Sequence, residues 1–289
     1  MGFLGFGNRF TKEGKGVSKE DVIKHRFIIF FEVIGRKFWK LCLLSLLYIV
    51  ASIPALLIYY AASSYIVPFV IGVSMGREAL TAMSGYLVLY SVLFAALLFL
   101  LFGSGPASCG AYYVLRNFSK EEHAWVASDF FEHFRKNFWQ GMSMFFLNLL
   151  VIAALFMNII FYLSGMADGI NEIIRLVLIT LFTVAFFAYS IMQMYIYPMM
   201  VTFKLKLRHI LQNSLLFTFY KLPQNILMLA LTITAFLLMA TLGEWLVFLY
   251  AAMPLIGFVV IMLGQTFYTF AVISAAMVKA EGDNANTQE

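Results

Sequence analysis

Six long stretches without a charged residue constrain this chain more than any other feature of its sequence. Lipid offers no hydrogen-bond partners to the backbone, so a segment that crosses a bilayer must be an α-helix or part of a closed barrel. Each stretch can hold the roughly 20 apolar residues of a spanning helix, and none shows the alternation of a barrel strand. The sequence therefore predicts an all-α, polytopic membrane protein. The stretches are Leu41–Gly76, Ala79–Leu115, Asn137–Ala167, Leu176–Phe203, Leu222–Gly243 and Trp245–Val278.

Composition supports the same class. The 289 residues are 62% hydrophobic and 12% charged, whereas about 25% of the residues of a soluble domain are charged. The two cysteines, Cys42 and Cys109, form no CxxC pattern. We therefore expect neither a structural zinc site nor a disulfide framework.

The distribution of positive charge predicts the orientation. Most of the 20 Lys and Arg residues precede the first stretch or follow the second and fourth stretches, and only Arg77 and Arg175 lie on the other side. Cytoplasmic loops are enriched in Lys and Arg. The sequence thus predicts a multi-pass protein of the cell membrane with six spans and both termini in the cytoplasm.

Part of the sequence repeats. Phe30-Phe31-Glu32 and Phe38-Trp39 recur as Phe130-Phe131-Glu132 and Phe138-Trp139, at a constant offset of 100 residues. Leu215-Leu216, with Phe219 and Lys221, resembles a third copy. We interpret the spans as three helical hairpins, each preceded by an amphipathic cytoplasmic elbow helix.

These patterns divide the chain into three parts. A basic N-terminal segment (1–17) precedes a six-span membrane domain (18–279), and a disordered tail (280–289) follows it. The domain contains three repeats: 18–117, 118–205 and 206–279. The outer connection 63–81 is apolar enough to lie on the membrane or to re-enter it, and the sequence does not choose between these conformations.

The second elbow has an aromatic stripe with charged residues between its members. Such a helix can lie in the headgroup plane with its aromatic rings toward the lipid. It either only orients the next span or provides a docking surface for a partner. The candidate docking residues are Phe130, Phe131, Phe134, Lys136 and Phe138.

The region after the second stretch resembles the YesL-like family. Its members are multi-spanning membrane proteins of Gram-positive bacteria, and the family is described as a domain of unknown function. The resemblance implies a role beside a carbohydrate ABC importer, with its permease or ATPase subunits as partners. The residues that carry it are Ser52-Ile53-Pro54, Gly105-Pro106-Ala107, Tyr113-Val114-Leu115-Arg116, Asp129-Phe130-Phe131, Phe134 and Asn137-Phe138.

No pattern in the sequence indicates catalysis. HExxH, the Walker phosphate loop and GxSxG are all missing from it. His123 and His133 are ten residues apart, about 15 Å along a helix, which is too far to share a metal ion. We expect no enzyme activity, no cofactor and no metal.

Gly103, Gly105 and Gly110 indicate a helix break at Pro106, where small residues allow close packing.

Neutral polar residues in the spans leave two functions open. Gln193 and Tyr197 share a face of the fourth span, near Pro198, and are candidates for lining a cavity. Their alternative role is hydrogen bonding between helices. The sequence therefore predicts a non-enzymatic accessory or scaffold component. The alternative is a stand-alone transporter or facilitator for a small neutral solute such as a sugar.

Overall fold

The computed structural model describes residues 26–164, 169–245 and 252–286, and within these ranges it is helical and contains no strand. The predicted segment 1–17, the start of the first repeat (18–25) and residues 287–289 of the predicted tail lie outside the described residues. Six of the described helices are long and apolar enough to cross a bilayer. This arrangement indicates a multi-pass membrane protein.

Eleven α-helices follow one another in the described ranges. A 3₁₀ turn (Ser84–Tyr86) precedes α4, and a π-helical turn (Met253–Gly257) precedes α11. The helices are α1 (Arg26–Arg36), α2 (Phe38–Ala51), α3 (Ile53–Ala82), α4 (Leu87–Phe102), α5 (Pro106–Ser119), α6 (Val126–Lys136), α7 (Phe138–Leu163), α8 (Glu172–Thr202), α9 (Leu207–Tyr220), α10 (Leu222–Trp245) and α11 (Phe258–Asn286).

Two of the predicted stretches are interrupted helices. The first changes from α2 to α3 at Ser52, next to Pro54, whose ring cannot continue a regular helix. The second is divided by a helix break at Phe102–Gly105: α4 ends at Phe102, and Gly103 and Gly105 have φ of 69° and 74°. A side chain at either position would strain the backbone. The predicted break at Pro106 is confirmed, since α5 begins there.

The outer connection 63–81 is helical, which the sequence left undecided. It forms the distal part of α3, and the chain reverses at Gly76, where φ is 85° and ψ is 172°. A Cβ on Gly72 would come within 3.8 Å of the Leu80 side chain, so the two arms of the reversal touch. At the other end of the chain, α11 extends to Asn286, within the segment 280–289 that the sequence predicts to be disordered.

The helices pack around a centre formed by α5, α8 and α11, the inner helices, which contact one another. Each of the outer helices α2, α7 and α10 contacts two of them: α2 contacts α5 and α11, α7 contacts α8 and α5, and α10 contacts α11 and α8. Each short helix also packs on one inner helix: α1 contacts α11, α6 contacts α5, and α9 contacts α8. The outer helices and the inner helices therefore alternate in a closed ring of contacts.

The buried positions of the outer helices recur at the offset of the sequence repeat. The buried residues of α2 are Leu41, Leu44, Ser45 and Tyr48. Those of α7 include Gly141, Met144, Phe145 and Asn148, each 100 residues later. In α10, Asn225, Leu229 and Thr232 are buried, 84 residues after Gly141, Phe145 and Asn148. The three outer helices thus turn equivalent faces toward the core.

Glycines allow the closest contacts between helices. A Cβ on Gly110 of α5 would lie 2.7 Å from the carbonyl oxygen of Phe130 in α6. A Cβ on Gly141 of α7 would lie 2.8 Å from the nitrogen of Pro106. Both neighbours are backbone atoms, which cannot turn aside as a side chain can. This packing confirms that small residues near Pro106 bring helices close together.

We predict that Gly110→Ala lowers the free energy of unfolding by about 1–3 kcal/mol, as overpacking of a tight core does. The matched control is Gly35→Ala in α1, where no atom lies within 4 Å of an added Cβ. Because alanine favours the helix, Gly35→Ala should instead be neutral or stabilising by about 0.5–1 kcal/mol. Denaturant titration in detergent measures both variants. Equal stability of the two variants would contradict the close α5–α6 contact.

Candidate functional site

The helix break at Phe102–Gly105 is the centre of a buried polar network. The carbonyl oxygen of Phe102 accepts hydrogen bonds from Asn148 Nδ2 at 2.8 Å and from the Tyr197 hydroxyl at 3.1 Å. The Gly103 carbonyl accepts from the Tyr59 hydroxyl at 2.9 Å. Three helices, α7, α8 and α3, therefore satisfy the carbonyl groups that the helix break leaves free.

Serine hydroxyls form hydrogen bonds with the amide and the hydroxyl of Ser104 in the break. Ser104 N donates to Ser108 Oγ at 2.9 Å, in the first turn of α5. Ser52 Oγ and Ser104 Oγ are 2.6 Å apart, so the α2–α3 junction is bonded to the α4–α5 break. Tyr48 OH lies 3.1 Å from Ser108 Oγ and extends this chain of hydroxyls into α2.

Gln193 and Tyr197, the predicted cavity-lining residues, both belong to this network. Each side chain is 2% exposed. Gln193 Nε2 donates to Asn148 Oδ1 at 2.8 Å, and the Tyr189 hydroxyl donates to the same oxygen at 2.6 Å. Their polar groups thus bind other protein groups in the packed core.

A related set of hydrogen bonds joins α10 and α11 to the rest of the bundle. Gln265 Nε2 donates to Thr232 Oγ1 at 3.2 Å, and Gln265 Oε1 accepts from the Tyr112 hydroxyl at 3.0 Å. Asn225 Oδ1 accepts from Tyr195 at 2.5 Å and from Tyr268 at 2.7 Å. Sequence reasoning missed Asn225, although an asparagine in a mostly apolar span is itself a signal of hydrogen bonding between helices.

Each outer helix therefore makes a polar contact with an inner helix at an equivalent position. The pairs are Tyr48–Ser108, Asn148–Gln193 and Thr232–Gln265. The first members of these pairs occupy the recurring buried position of α2, α7 and α10. The three outer helices thus share these hydrogen bonds as well as the pattern of buried positions.

We predict that Asn148→Ala lowers the free energy of unfolding by about 1–3 kcal/mol, because the Tyr189 and Gln193 side chains lose a buried acceptor. Asn158→Ala in the same helix is the matched control. Asn158 is half-buried and donates only to Ala154 O of its own helix, at 2.8 Å. That substitution should change the stability by less than about 0.5 kcal/mol. Thermal or detergent-induced unfolding compares the two, and equal losses would contradict the network.

The predicted docking residues of α6 and the start of α7 differ in their exposure. Phe130 is 0% exposed and packs against Gly110, so its assignment to a docking surface is corrected to the core. Phe134 and Phe138 are half-buried. Phe131 is 43% exposed, and Lys136 is exposed. The sequence period identified the aromatic stripe, but it could not show that α5 covers Phe130.

Charged residues join α1 to the connection between α5 and α6. Arg36 Nη2 lies 2.8 Å from Glu121 Oε1, in an exposed pair that contributes about 1 kcal/mol at most. Lys37 Nζ lies 4.2 Å from the centre of the Phe118 ring and donates to the Glu122 carbonyl at 3.3 Å. Burial lowers the pKa of Lys37, and the neighbouring charges of Arg36 and Lys40 lower that pKa further.

His133 is a buried titratable residue of α6, next to α5. Its ring stacks on Tyr113 with 3.3 Å between ring centres, and its Nδ1 has no hydrogen-bond partner. Burial and the charge of Lys136 lower the pKa of His133, although Glu132 and Asp129 oppose the shift. In the described ranges, no three His, Cys, Asp or Glu side chains are grouped closely enough to bind a metal ion.

One comparison with known proteins gives a match. The model of a family described as "Protein of unknown function, DUF624" matches residues 85–159. The matched part contains the break at Phe102–Gly105, helix α6 and most of α7. Membership of the YesL-like family stays a prediction. No curated protein and no solved structure matches this chain.

Proposed function

We propose that this chain is a non-enzymatic accessory or scaffold component of a carbohydrate ABC importer, located in the cell membrane. The observation that carries the proposal is the hydrogen bonding of the buried polar groups to one another. Gln193 and Tyr197, the residues best suited to contact a neutral solute, hold the broken helix in place. Because these groups bind one another, they support a structural role in the core over contact with a solute.

The proposed topology has six spans in three helical hairpins, with both termini in the cytoplasm. The ring of contacts supports this topology, since each of the short helices α1, α6 and α9 precedes an outer helix and packs on an inner one. The positive charges near these short helices support a cytoplasmic location for them. The elbow helices would then lie in the headgroup region.

The exposed face of α6 is the proposed docking surface for a permease or ATPase subunit. Phe131 lies in a shallow groove of about 490 Å³ with Ala127, Ser128, Glu132 and Arg135. Aromatic residues and Arg are enriched at protein–protein interfaces, and this groove contains one of each. Phe131 replaces Phe130 as the central residue of the proposed surface.

The association test is a mild-detergent pull-down from native membranes with mass spectrometry of the recovered proteins. Wild-type protein should recover permease or ATPase subunits in stoichiometric amounts. Phe131→Ala should reduce their recovery roughly tenfold, the effect of removing one interface anchor. Leu215→Ala is the matched control, since Leu215 is an exposed residue of α9 at the structural offset of 84 from Phe131, and it should keep the partners. Recovery of the wild-type protein alone would contradict a stable accessory role.

The alternative function, a facilitator for a neutral solute such as a sugar, is supported by the cluster of Gln, Asn and Tyr side chains in the bundle. It requires these groups to exchange their mutual hydrogen bonds for bonds to the solute. Reconstituted vesicles test it by uptake of a labelled sugar. Uptake that Gln193→Ala with Tyr197→Ala abolishes, at unchanged expression, would replace the accessory role by transport.

A further inference from the structure

An amphipathic groove of about 690 Å³ lies between the start of α2 and the connection from α5 to α6. Its volume is within the range of small-molecule sites, about 300–1,000 Å³. Polar groups and apolar groups both contribute to its walls. The lining residues are Lys40, Leu43, His123, Ala124, Trp125, Val126, Ala127 and Ser128.

Lys40 gives the groove a free positive charge. Its neighbours Arg36 and Lys37 are engaged, the first with Glu121 and the second with Phe118 and the Glu122 carbonyl. Among the residues that the structure describes, no carboxylate pairs with Lys40. The Asp129 carboxylate near the groove accepts a hydrogen bond from Trp125 N at 2.9 Å. Lys40 can therefore pair with a negatively charged group from outside the chain.

The groove opens toward the side of α2 that faces away from the bundle. Trp39 is 81% exposed, Trp125 is 72% exposed, and Leu43 and Leu46 are exposed further along the helix. Tryptophan favours the headgroup level of a bilayer, and exposed leucines favour the hydrocarbon region. Lys40 then lies at the headgroup level, with Leu43 one turn deeper in the bilayer.

The equivalent place beside α7 is closed by the chain itself. Gln140 occupies the position 100 residues after Lys40, and its Nε2 donates to the Leu205 carbonyl at 3.0 Å. The connection from α8 to α9 therefore occupies the space next to α7. Beside α2 the lysine replaces the glutamine, and the space stays open.

From these observations we propose that the groove binds one anionic phospholipid, with the phosphate at Lys40, His123 and Ser128 and an acyl chain beside Leu43. The proposal rests on the membrane placement given above. It does not depend on the ABC importer as partner. The bound lipid would fix the start of α2 against the connection between α5 and α6, since both line the groove.

The test is native mass spectrometry of the purified protein with added phosphatidylglycerol or phosphatidylcholine. Wild-type protein should retain phosphatidylglycerol in preference, and Lys40→Gln should weaken that binding roughly fivefold, as expected for one lysine at an anionic surface. Lys204→Gln, which removes an exposed lysine outside the groove, is the matched control and should bind like the wild type. Ala127→Trp, which fills the groove and keeps Lys40, should also weaken binding.

Three outcomes would overturn the lipid site. Equal retention of the two lipids would exclude recognition of the anionic headgroup. Equal losses in Lys40→Gln and Lys204→Gln would show general surface attraction, and unchanged binding in Ala127→Trp would exclude the groove. Lys40→Arg should retain most of the binding, which separates loss of charge from misfolding. Lys40 lies outside the Phe131 groove, so Lys40→Gln should leave the pull-down of importer subunits unchanged, whereas Ala127 lines both grooves.

Discussion

The absence of water in the bilayer interior is the constraint on which the rest of this structure depends. A helix that unwinds there leaves carbonyl and amide groups that only other protein groups can bind. The break at Phe102–Gly105 creates such groups, and Tyr59, Asn148 and Tyr197 supply the hydrogen bonds from three other helices. The break is thus the point at which α3, α7 and α8 are joined.

The ring of contacts gives this network its place in the molecule. Each outer helix packs between two inner helices, and each makes one polar contact at the recurring buried position. Polar contacts of this kind contribute about 1 kcal/mol each in a membrane, so they specify the neighbours of a helix more than they stabilise it. The groove at Lys40 follows from one difference between equivalent parts, since Gln140 closes the corresponding place beside α7.

The sequence predicted the class, the number of apolar helices and the break at Pro106 because charge, length and proline act locally. The offset of 100 residues also located the equivalent faces of α2 and α7. It could not predict the burial of Phe130, which depends on Gly110 in another helix. Nor could it decide whether Gln193 and Tyr197 line a cavity, because their partners, Asn148 and the Phe102 carbonyl, are distant in the chain.

Disulfide cross-linking in intact membranes tests the central claim, which is that the helix break packs against the α2–α3 junction. Ser52 Oγ and Ser104 Oγ are 2.6 Å apart, so the sulfur atoms of cysteines at both positions would lie within reach of a disulfide bond of about 2 Å. With Cys42 and Cys109 replaced by serine, Ser52→Cys with Ser104→Cys should cross-link within one chain. Ser63→Cys with Ser104→Cys should not, because Ser63 lies about 16 Å further along the helix. Absence of the Ser52→Cys with Ser104→Cys cross-link, or equal cross-linking of the control pair, would contradict the account.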